Sequence, residues 1–333
     1  MKVRATAPGK LVVLGEYAVL AGAPALVLAV DRRCQADLGP SDDDRCQLRI
    51  RAPESRETSF PVGAASGVAL VDLVTSALEA DGPLAWRAGI DSSGFFDGET
   101  KLGIGSSAAV LTAWAAAWSV YAGTRRISHD LPSLEALIRL HREFQGGSGS
   151  GLDVAASLFG GAITYQLMPD SAPDVGSIQL PNSVGFTGVF TGCSASTSDF
   201  VAAFDDWRAE RPAEANEQLR LLEQLSADGC AAAGENDADE FLTAVAAYGR
   251  ELEVLGESIG RTIVTVEHRD VFGIAERCGV VYKVSGAGGG DLGLAFSTDP
   301  EALAAFKDAI QGMYRVVDFC VDATGLSVEE QTD

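Results

Sequence analysis

The sequence predicts an α+β protein with two domains. Its 333 residues are enough for two domains of ordinary size. Segments with strand patterning and segments with helical spacing are interspersed along the chain, and their order in the second half favours helices on one face of a sheet. A polar, proline-containing segment at residues 168–182 separates the halves, so we place the domains at residues 1–175 and 176–333.

In the first half, strand-like segments precede most of the helices. Residues 3–7 alternate weakly, and we expect Ala7-Pro8-Gly9-Lys10 to end that strand. An apolar, alanine-rich segment at residues 110–121 predicts a helix. Further strands are predicted at residues 11–14, 25–38, 47–51, 84–90 and 162–167, and further helices at residues 68–80, 133–144 and 152–159.

The second half combines strands with long acidic helices. The helices are predicted between residues 198 and 256, at 267–278 and at 300–310, and the strands at 184–191, 280–284, 292–296 and 314–321. From about Val328 onward we expect disorder.

The charge of the chain limits its partners. A formal net charge of −22 argues against nucleic acid, because a phosphate backbone requires a basic protein face. Residues 102–124 carry no charge, but they open with glycine and serine, which favours a buried helix over a membrane span. The six cysteines are dispersed, and the start of the chain shows no signal-peptide pattern. We therefore expect a cytoplasmic protein with reduced cysteines and no membrane partner.

A glycine-serine loop lies directly before the alanine-rich helix, in the sequence Lys101-Leu-Gly-Ile-Gly-Ser-Ser-Ala-Ala109. Glycines allow a ligand to approach the backbone, and the free N–H groups and dipole of a helix N-terminus favour an anion. The loop therefore predicts a phosphorylated ligand. The spacing Gly103-x-Gly105-x-x-Ala108 also fits a dinucleotide fingerprint, but polar residues precede it, and Arg125 and Arg126 stand where an acidic residue is expected.

Two further glycine loops occupy residues 145–151 and 285–290, and each of the three loops taken singly could be a simple turn. Three lysines lie beside strand or loop ends, at positions 10, 101 and 283. Simple turns alone explain this placement poorly. The three histidines, at positions 129, 141 and 268, fit no hydrolase pattern, and we predict that they are surface or helix-face residues.

Three motifs, in the expected order, resemble those of the GHMP small-molecule kinases. The first is Ala7-Pro8-Gly9-Lys10 followed by Gly15-Glu16-Tyr17-Ala18-Val19, the second is the loop at residues 102–109, and the third is residues 285–290. The resemblance covers nearly the whole chain. It implies an N-terminal ribosomal-protein-S5-domain-2-like α/β domain that binds ATP, a C-terminal ferredoxin-like α+β domain, and Mg²⁺ as a cofactor.

Within this family the chain resembles phosphomevalonate kinases more than mevalonate kinases. The features concerned are Lys101, Asp291, the segment Gly149-Ser-Gly-Leu-Asp-Val-Ala-Ala156 and the Ser/Thr-rich loop at residues 191–197. The resemblance implies ATP-dependent phosphorylation of mevalonate 5-phosphate by a monomer or homodimer. Mevalonate kinase and a non-catalytic ligand sensor with the same fold remain alternatives.

The resemblance also implies roles for individual residues. The catalytic pair would be Lys10 and Asp153. The ATP-binding residues would be Lys101, Gly103, Ile104, Gly105, Ser106, Ser107 and Ala108. The substrate-binding residues would be Lys10, Glu16, Tyr17, Ser148, Gly149, Ser150, Ser194, Ser196, Thr197, Ser285, Gly286, Ala287 and Gly288. Other roles remain open: Ser106 or Ser107 could cap a helix, Asp153 could favour a helix dipole, and the loop serines could stabilise turns.

The expected magnesium ligands are Ser107 and Glu143, and here the chain departs from the family pattern. Mevalonate kinases carry a glutamate eleven residues before the catalytic aspartate, where this chain has Arg142. Glu143 lies ten residues before Asp153. A shift of one residue could restore Glu143 as a ligand, or Ser107 and phosphates could hold the metal alone.

Overall fold

The computed structural model describes residues 1–82, 84–147, 149–192 and 197–331. The helices are α1 (Ala69–Ala77), α2 (Ser106–Tyr121), α3 (Leu131–Phe144), α4 (Leu152–Phe159), α5 (Thr197–Glu210), α6 (Pro212–Glu235), α7 (Ala238–Ser258), α8 (Val266–Arg277) and α9 (Pro300–Ile310). The strands are β1 (Lys2–Leu14), β2 (Ala25–Pro40), β3 (Arg45–Arg51), β4 (Arg56–Pro61), β5 (Trp86–Asp91), β6 (Phe96–Asp97), β7 (Thr100–Lys101), β8 (Ala162–Gln166), β9 (Asp174–Ile178), β10 (Gly185–Phe190), β11 (Val281–Val284), β12 (Leu292–Ser297), β13 (Arg315–Val317) and β14 (Ser327–Gln331).

The chain forms two compact units. The first contains residues 1–10, residues 29–160 and the chain from Val321 onward. Its strands follow the order β14–β1–β2–β5–β3–β4, in which β3 and β5 are parallel. Helix α2 is buried along most of its length, including Trp114, and its alanines leave little volume between it and its neighbours. The expected buried helix is therefore present.

Strand β1 runs without interruption through Pro8 and Gly9, so the predicted break there is wrong. A Cβ added at Gly9 would lie 2.7 Å from the carbonyl oxygen of Ile104, which shows how closely the glycine loop approaches this strand. The main-chain N–H of Lys10 donates to the same carbonyl over 2.9 Å. Glycine thus serves a close backbone contact here and does not end the strand.

Residues 328–331 belong to a strand, contrary to the expected disorder. Strand β14 pairs antiparallel with β1, in a register from Lys2↔Gln331 to Thr6↔Ser327. The Arg126 guanidinium donates to the Glu330 carboxylate over 2.6 Å. A polar strand of five residues gives little periodic signal, and its partner lies at the other end of the sequence.

The second unit contains residues 11–28 and 161–320. One of its sheets has the antiparallel order β11–β12–β10–β13. Helices α8 and α9 supply Val271, Ile274, Phe306 and Ile310 to a core that also contains Tyr282 of β11. The predicted acidic helices are present as α5, α6 and α7. Strand β9 lies in the segment that we interpreted as a polar boundary, and it pairs with β8.

The predicted α+β class is confirmed, whereas the boundary between residues 175 and 176 remains a prediction. Among the described residues, no helix combines the length and the apolar composition needed to cross a bilayer. The thiols of Cys34 and Cys46 are buried, and those of Cys230, Cys278 and Cys320 are more accessible.

Candidate active site

The glycine loop in the first unit ends at an uncapped helix N-terminus. Helix α2 begins at Ser106, and its N-cap residue is Gly105, which has φ 79° and offers no side-chain hydrogen bond. Neither Ser106 nor Ser107 therefore occupies the N-cap position. The first N–H groups and the positive end of the helix dipole remain available to an anion, and this geometry fits the phosphates of a nucleotide.

Lys10 lies against this loop. A Cβ at Gly105 would approach the Lys10 Cγ to 3.0 Å and its Cε to 3.3 Å, so the lysine stem packs along the glycine. Glycine is thus required at position 105 for two reasons: the backbone has a positive φ, and the Lys10 side chain occupies the space that a Cβ would need. The structure therefore brings together two of the predicted residues, one cationic and one from the phosphate loop.

Asp153 lies in the first turn of α4, next to the N-cap residue Gly151. Its side chain is 20% exposed. The main-chain N–H of Val154 donates to Asp153 Oδ1 over 2.9 Å. One turn later, the buried Ser157 hydroxyl donates to the carbonyl of Pro8 over 2.8 Å. This bond fixes α4 to the part of β1 that carries Lys10.

His141 joins two predicted residues, although the sequence interpretation assigned it no function. It is 2% exposed in the last turn of α3. Its Nε2 lies 3.0 Å from the Ser107 Oγ, and its Nδ1 lies 3.7 Å from the Asp153 Oδ1. The available sequence signal was its helical spacing from the buried Leu134 and Ile138, which places it on the apolar face of α3.

Arg142 stabilises the second glycine loop. Its Nε donates to the carbonyl of Gly149 over 2.8 Å, and an Nη contacts the carbonyl of Ser150 at 3.4 Å. Its neighbour Glu143 is exposed. The arginine at the position of the expected metal-binding glutamate therefore holds the backbone of the loop.

The remaining predicted residues of the first unit are placed as follows. Lys101 is exposed at the end of β7, next to the phosphate loop. Ile104 and Ala108 are buried beneath that loop. Ser148, Ser194 and Ser196 lie outside the described residues, and their predicted roles remain predictions.

In the second unit, Glu16 and Lys283 form a buried ion pair. The Lys283 Nζ lies 2.5 Å from the Glu16 Oε1, and the two side chains are 0% and 2% exposed. Burial lowers the pKa of Lys283, and the Glu16 carboxylate opposes that effect. The other carboxylate oxygen, Oε2, is buried without a hydrogen-bond partner among the described residues. The Tyr248 hydroxyl donates to the Glu16 carbonyl over 2.7 Å.

The third glycine loop is held by the same segment. The Ser285 hydroxyl donates to the Val12 carbonyl over 2.9 Å and accepts from the Val12 N–H over 3.1 Å. The Tyr17 hydroxyl donates to the carbonyl of Ala287, and the N–H of Gly286 contacts the Glu16 Oε1 at 3.4 Å. Tyr17 and Glu16 thus contact the third glycine loop, which sequence spacing did not indicate. Gly288 lies buried in the loop, and Thr197 is exposed at the start of α5.

A second buried histidine, His268 of α8, fixes the end of the third loop. Its Nε2 lies 2.9 Å from the Gly290 carbonyl, and its Nδ1 lies 2.7 Å from the Tyr282 hydroxyl. Because a carbonyl can only accept, Nε2 carries the hydrogen and Nδ1 accepts from the tyrosine. Burial lowers the pKa of this imidazole. The prediction that all three histidines are surface or helix-face residues missed these buried contacts.

The described residues contain no cluster of three or more histidine, cysteine or acidic side chains that could hold a metal ion unaided. Mg²⁺ in kinases takes few protein ligands and completes its shell with phosphate oxygens and water. The Ser107 hydroxyl oxygen is a ligand of the type that Mg²⁺ prefers.

Comparisons with known proteins identify the family of this chain. Residues 63–161 match the N-terminal domain of the GHMP kinases. A phosphomevalonate kinase from Streptomyces sp. (strain CL190) is 30% identical, with 89% of this chain and 90% of that protein covered. A mevalonate kinase from Thermococcus sibiricus (strain DSM 12597 / MM 739) is 25% identical, with 99% of both covered.

The fold also matches a solved structure. Streptococcus pneumoniae phosphomevalonate kinase in complex with phosphomevalonate and AMPPNP has a TM-score of 0.79 at 19% identity, with 96% of this chain and 99% of that chain covered. The chain therefore belongs to the GHMP kinases. Members of this family are small-molecule kinases that use ATP.

Proposed function

We propose that this chain transfers the γ-phosphoryl group of ATP to mevalonate 5-phosphate, with Mg²⁺ as a cofactor, and forms mevalonate 5-diphosphate. The observation that carries the kinase chemistry is the contact of Lys10 with Gly105 at the uncapped N-terminus of α2. It combines a cation with free backbone donors, which phosphoryl transfer needs to neutralise charge. The acceptor is supported by the 30% identical relative, a phosphomevalonate kinase.

In the proposed reaction, an oxygen of the acceptor phosphate forms a bond to the γ-phosphorus. The bond from that phosphorus to the bridging oxygen breaks, and ADP leaves with the electron pair. The loop before α2 holds the nucleotide phosphates, Lys10 neutralises charge on the transferred group, and the second glycine loop binds the acceptor. Ser107 would contribute a metal ligand, and bound Mg²⁺ would neutralise charge on the β- and γ-phosphates.

The acceptor determines what Asp153 must do. A phosphomonoester loses its second proton with a pKa of about 6, so its attacking oxygen carries no proton at neutral pH. Asp153 can only accept a hydrogen bond, so it would orient this acceptor through the hydroxyl group that mevalonate 5-phosphate retains, whereas a mevalonate hydroxyl that attacks would need a general base. Replacing Asp153 by asparagine keeps the shape and removes the basicity, and it should therefore affect an alcohol acceptor more strongly than a phosphate acceptor.

The test measures ADP release from ATP and Mg²⁺ with mevalonate and mevalonate 5-phosphate side by side. We expect turnover of the phosphorylated acceptor alone, with a large loss in Lys10→Met and a smaller loss in Asp153→Asn. Lys2→Met, which removes an exposed lysine from the same strand, is the matched control and should retain activity.

Two other results would overturn the assignment. Turnover of mevalonate alone would make the chain a mevalonate kinase, in line with its 25% identical relative. Ligand binding without ADP formation would favour a sensor, although a protein that only binds has no need for both Lys10 and Asp153.

A further inference from the structure

Of the described side chains outside the predicted set, His141 makes the most informative contacts. It is almost fully buried, and its two ring nitrogens face two different predicted residues, Ser107 and Asp153. Nothing in the phosphoryl-transfer scheme above uses it. We propose that His141 is a positioning residue whose ring fixes the direction of the Ser107 hydroxyl hydrogen bond, with Asp153 selecting the ring tautomer.

The tautomer follows from the groups that face the ring. A neutral imidazole has one N–H donor and one acceptor nitrogen, and a carboxylate can only accept. Although 3.7 Å is too long for a hydrogen bond, the negative Asp153 favours an N–H directed toward it over a lone pair. Nδ1 therefore carries the hydrogen and Nε2 is the acceptor.

This tautomer determines what the Ser107 hydroxyl can do. The Ser107 O–H must donate to Nε2 across the observed 3.0 Å. A serine hydroxyl has a single hydrogen, so Ser107 then has none left to donate to a phosphate. Its oxygen retains lone pairs, which suit a cation. His141 thus commits Ser107 to metal ligation, whereas the opposite tautomer would make Ser107 a phosphate donor.

The inference rests on the proposed function, because it concerns the metal that accompanies the nucleotide. Its first test needs neither nucleotide nor activity. In the full chain labelled with ¹⁵N-histidine, ring nitrogen shifts distinguish the two tautomers. We expect His141 as the Nδ1–H form and His268 as the Nε2–H form, so the two buried histidines should give opposite patterns. The signals are assigned by replacing His129 and His268 in turn.

The second test measures Mn²⁺ affinity by electron paramagnetic resonance with AMPPNP, in which no turnover occurs. His141→Asn cannot reach Ser107, and we expect the Mn²⁺ affinity to fall about 10–100-fold, as is usual for a lost outer partner of a metal ligand. His141→Gln places an amide near the Nε2 position and should recover part of the loss. His129→Gln, on an exposed histidine, is the matched control and should bind like the wild type.

The outcomes separate this inference from the proposed function. An Nε2–H or doubly protonated His141 would overturn the inference and leave the kinase assignment intact, as would unchanged Mn²⁺ affinity in His141→Asn. Absence of any Mn²⁺–AMPPNP binding by the wild type would overturn the proposed function and the inference with it. If His141→Asn fails to fold, the wild-type tautomer and the Gln variant still decide the question.

Discussion

Replacing Glu16 by glutamine would leave the Lys283 ammonium buried without its counter-charge. The two side chains are 2% and 0% exposed, so water cannot take over the lost interaction. A weaker compensation remains from the Tyr248 ring, whose centroid lies 5.9 Å from the Lys283 Nζ. Removing one partner of such a pair typically costs about 3–5 kcal/mol of the free energy of unfolding, and we expect Glu16→Gln to fall in that range.

The variant should also acquire a pH dependence. Burial already lowers the pKa of Lys283, and the coulombic effect of the Glu16 carboxylate, which raises it, would disappear. The folded state would then bind fewer protons than the unfolded state between the lowered pKa and the ordinary value of 10.5. The free energy of unfolding of Glu16→Gln should therefore rise with pH across that interval.

The assay is urea-induced unfolding at pH 7 and pH 9, followed by circular dichroism and tryptophan fluorescence. The matched control is Glu253→Gln in the exposed Arg269–Glu253 pair, whose side chains are 50% and 41% exposed and which should contribute about 0.2–1 kcal/mol. A double variant, Glu16→Gln with Lys283→Met, should recover at least half of the loss because the stranded charge is gone.

Two results would refute this reasoning. If Glu16→Gln lowers the free energy of unfolding no more than Glu253→Gln does, the buried ion pair contributes no more to stability than the surface pair. A large loss without recovery in the double variant would assign the cost to packing and hydrogen bonds, and a flat pH profile would support that assignment.

Three further predictions concern the first unit. Gly105→Ala would place a Cβ 3.0 Å from the Lys10 Cγ on a backbone with φ 79°, which costs about 1–2 kcal/mol of strain. We therefore expect AMPPNP binding, measured by calorimetry, to weaken about 5–30-fold. Gly123→Ala, with φ 68° and open space, is its control and should bind normally. Arg142→Ala removes two contacts to loop carbonyls and should lower kcat/KM for the acceptor about tenfold, whereas Arg139→Ala, on the exposed face of α3, should not. Deleting strand β14 should lower the Tm, since β1 would lose its antiparallel partner; an unchanged Tm would contradict that pairing's contribution.

Local patterns predicted the elements that depend on local sequence. The alanine-rich segment after the glycine loop forms α2, and the acidic helical segments form α5, α6 and α7. In each case the information lies within about twenty residues, since helical spacing and the glycine before Ser106 are readable without any partner.

The contacts of the candidate site could not be predicted from local sequence patterns. His141 meets Ser107 across 34 residues, and Lys283 meets Glu16 across 267. Helical spacing places His141 on the apolar face of α3, but nothing near it in the sequence indicates that its ring contacts Ser107 and Asp153. Spacing identified the glycine loops, but which side chains fix them depends on tertiary neighbours.

The same limit explains the errors at the two ends of the chain. A Pro-Gly pair usually ends a strand. At Pro8 and Gly9 strand β1 continues, because the Ile104 carbonyl oxygen lies where a side chain would otherwise stand. The segment after Leu326 is polar, and its strand exists because β1 offers an edge. Edge pairing of this kind is a property of the partner as much as of the segment.

The pairing of the first strand with the last affects how the chain must be made. Strand β14 is synthesised more than 320 residues after its neighbour β1, roughly 15–65 s later at about 5–20 residues per second. For that interval one edge of the nascent sheet has no partner and could pair with another chain. The exposed charges of Lys2 and Arg4 lie along this strand, where they discourage such pairing.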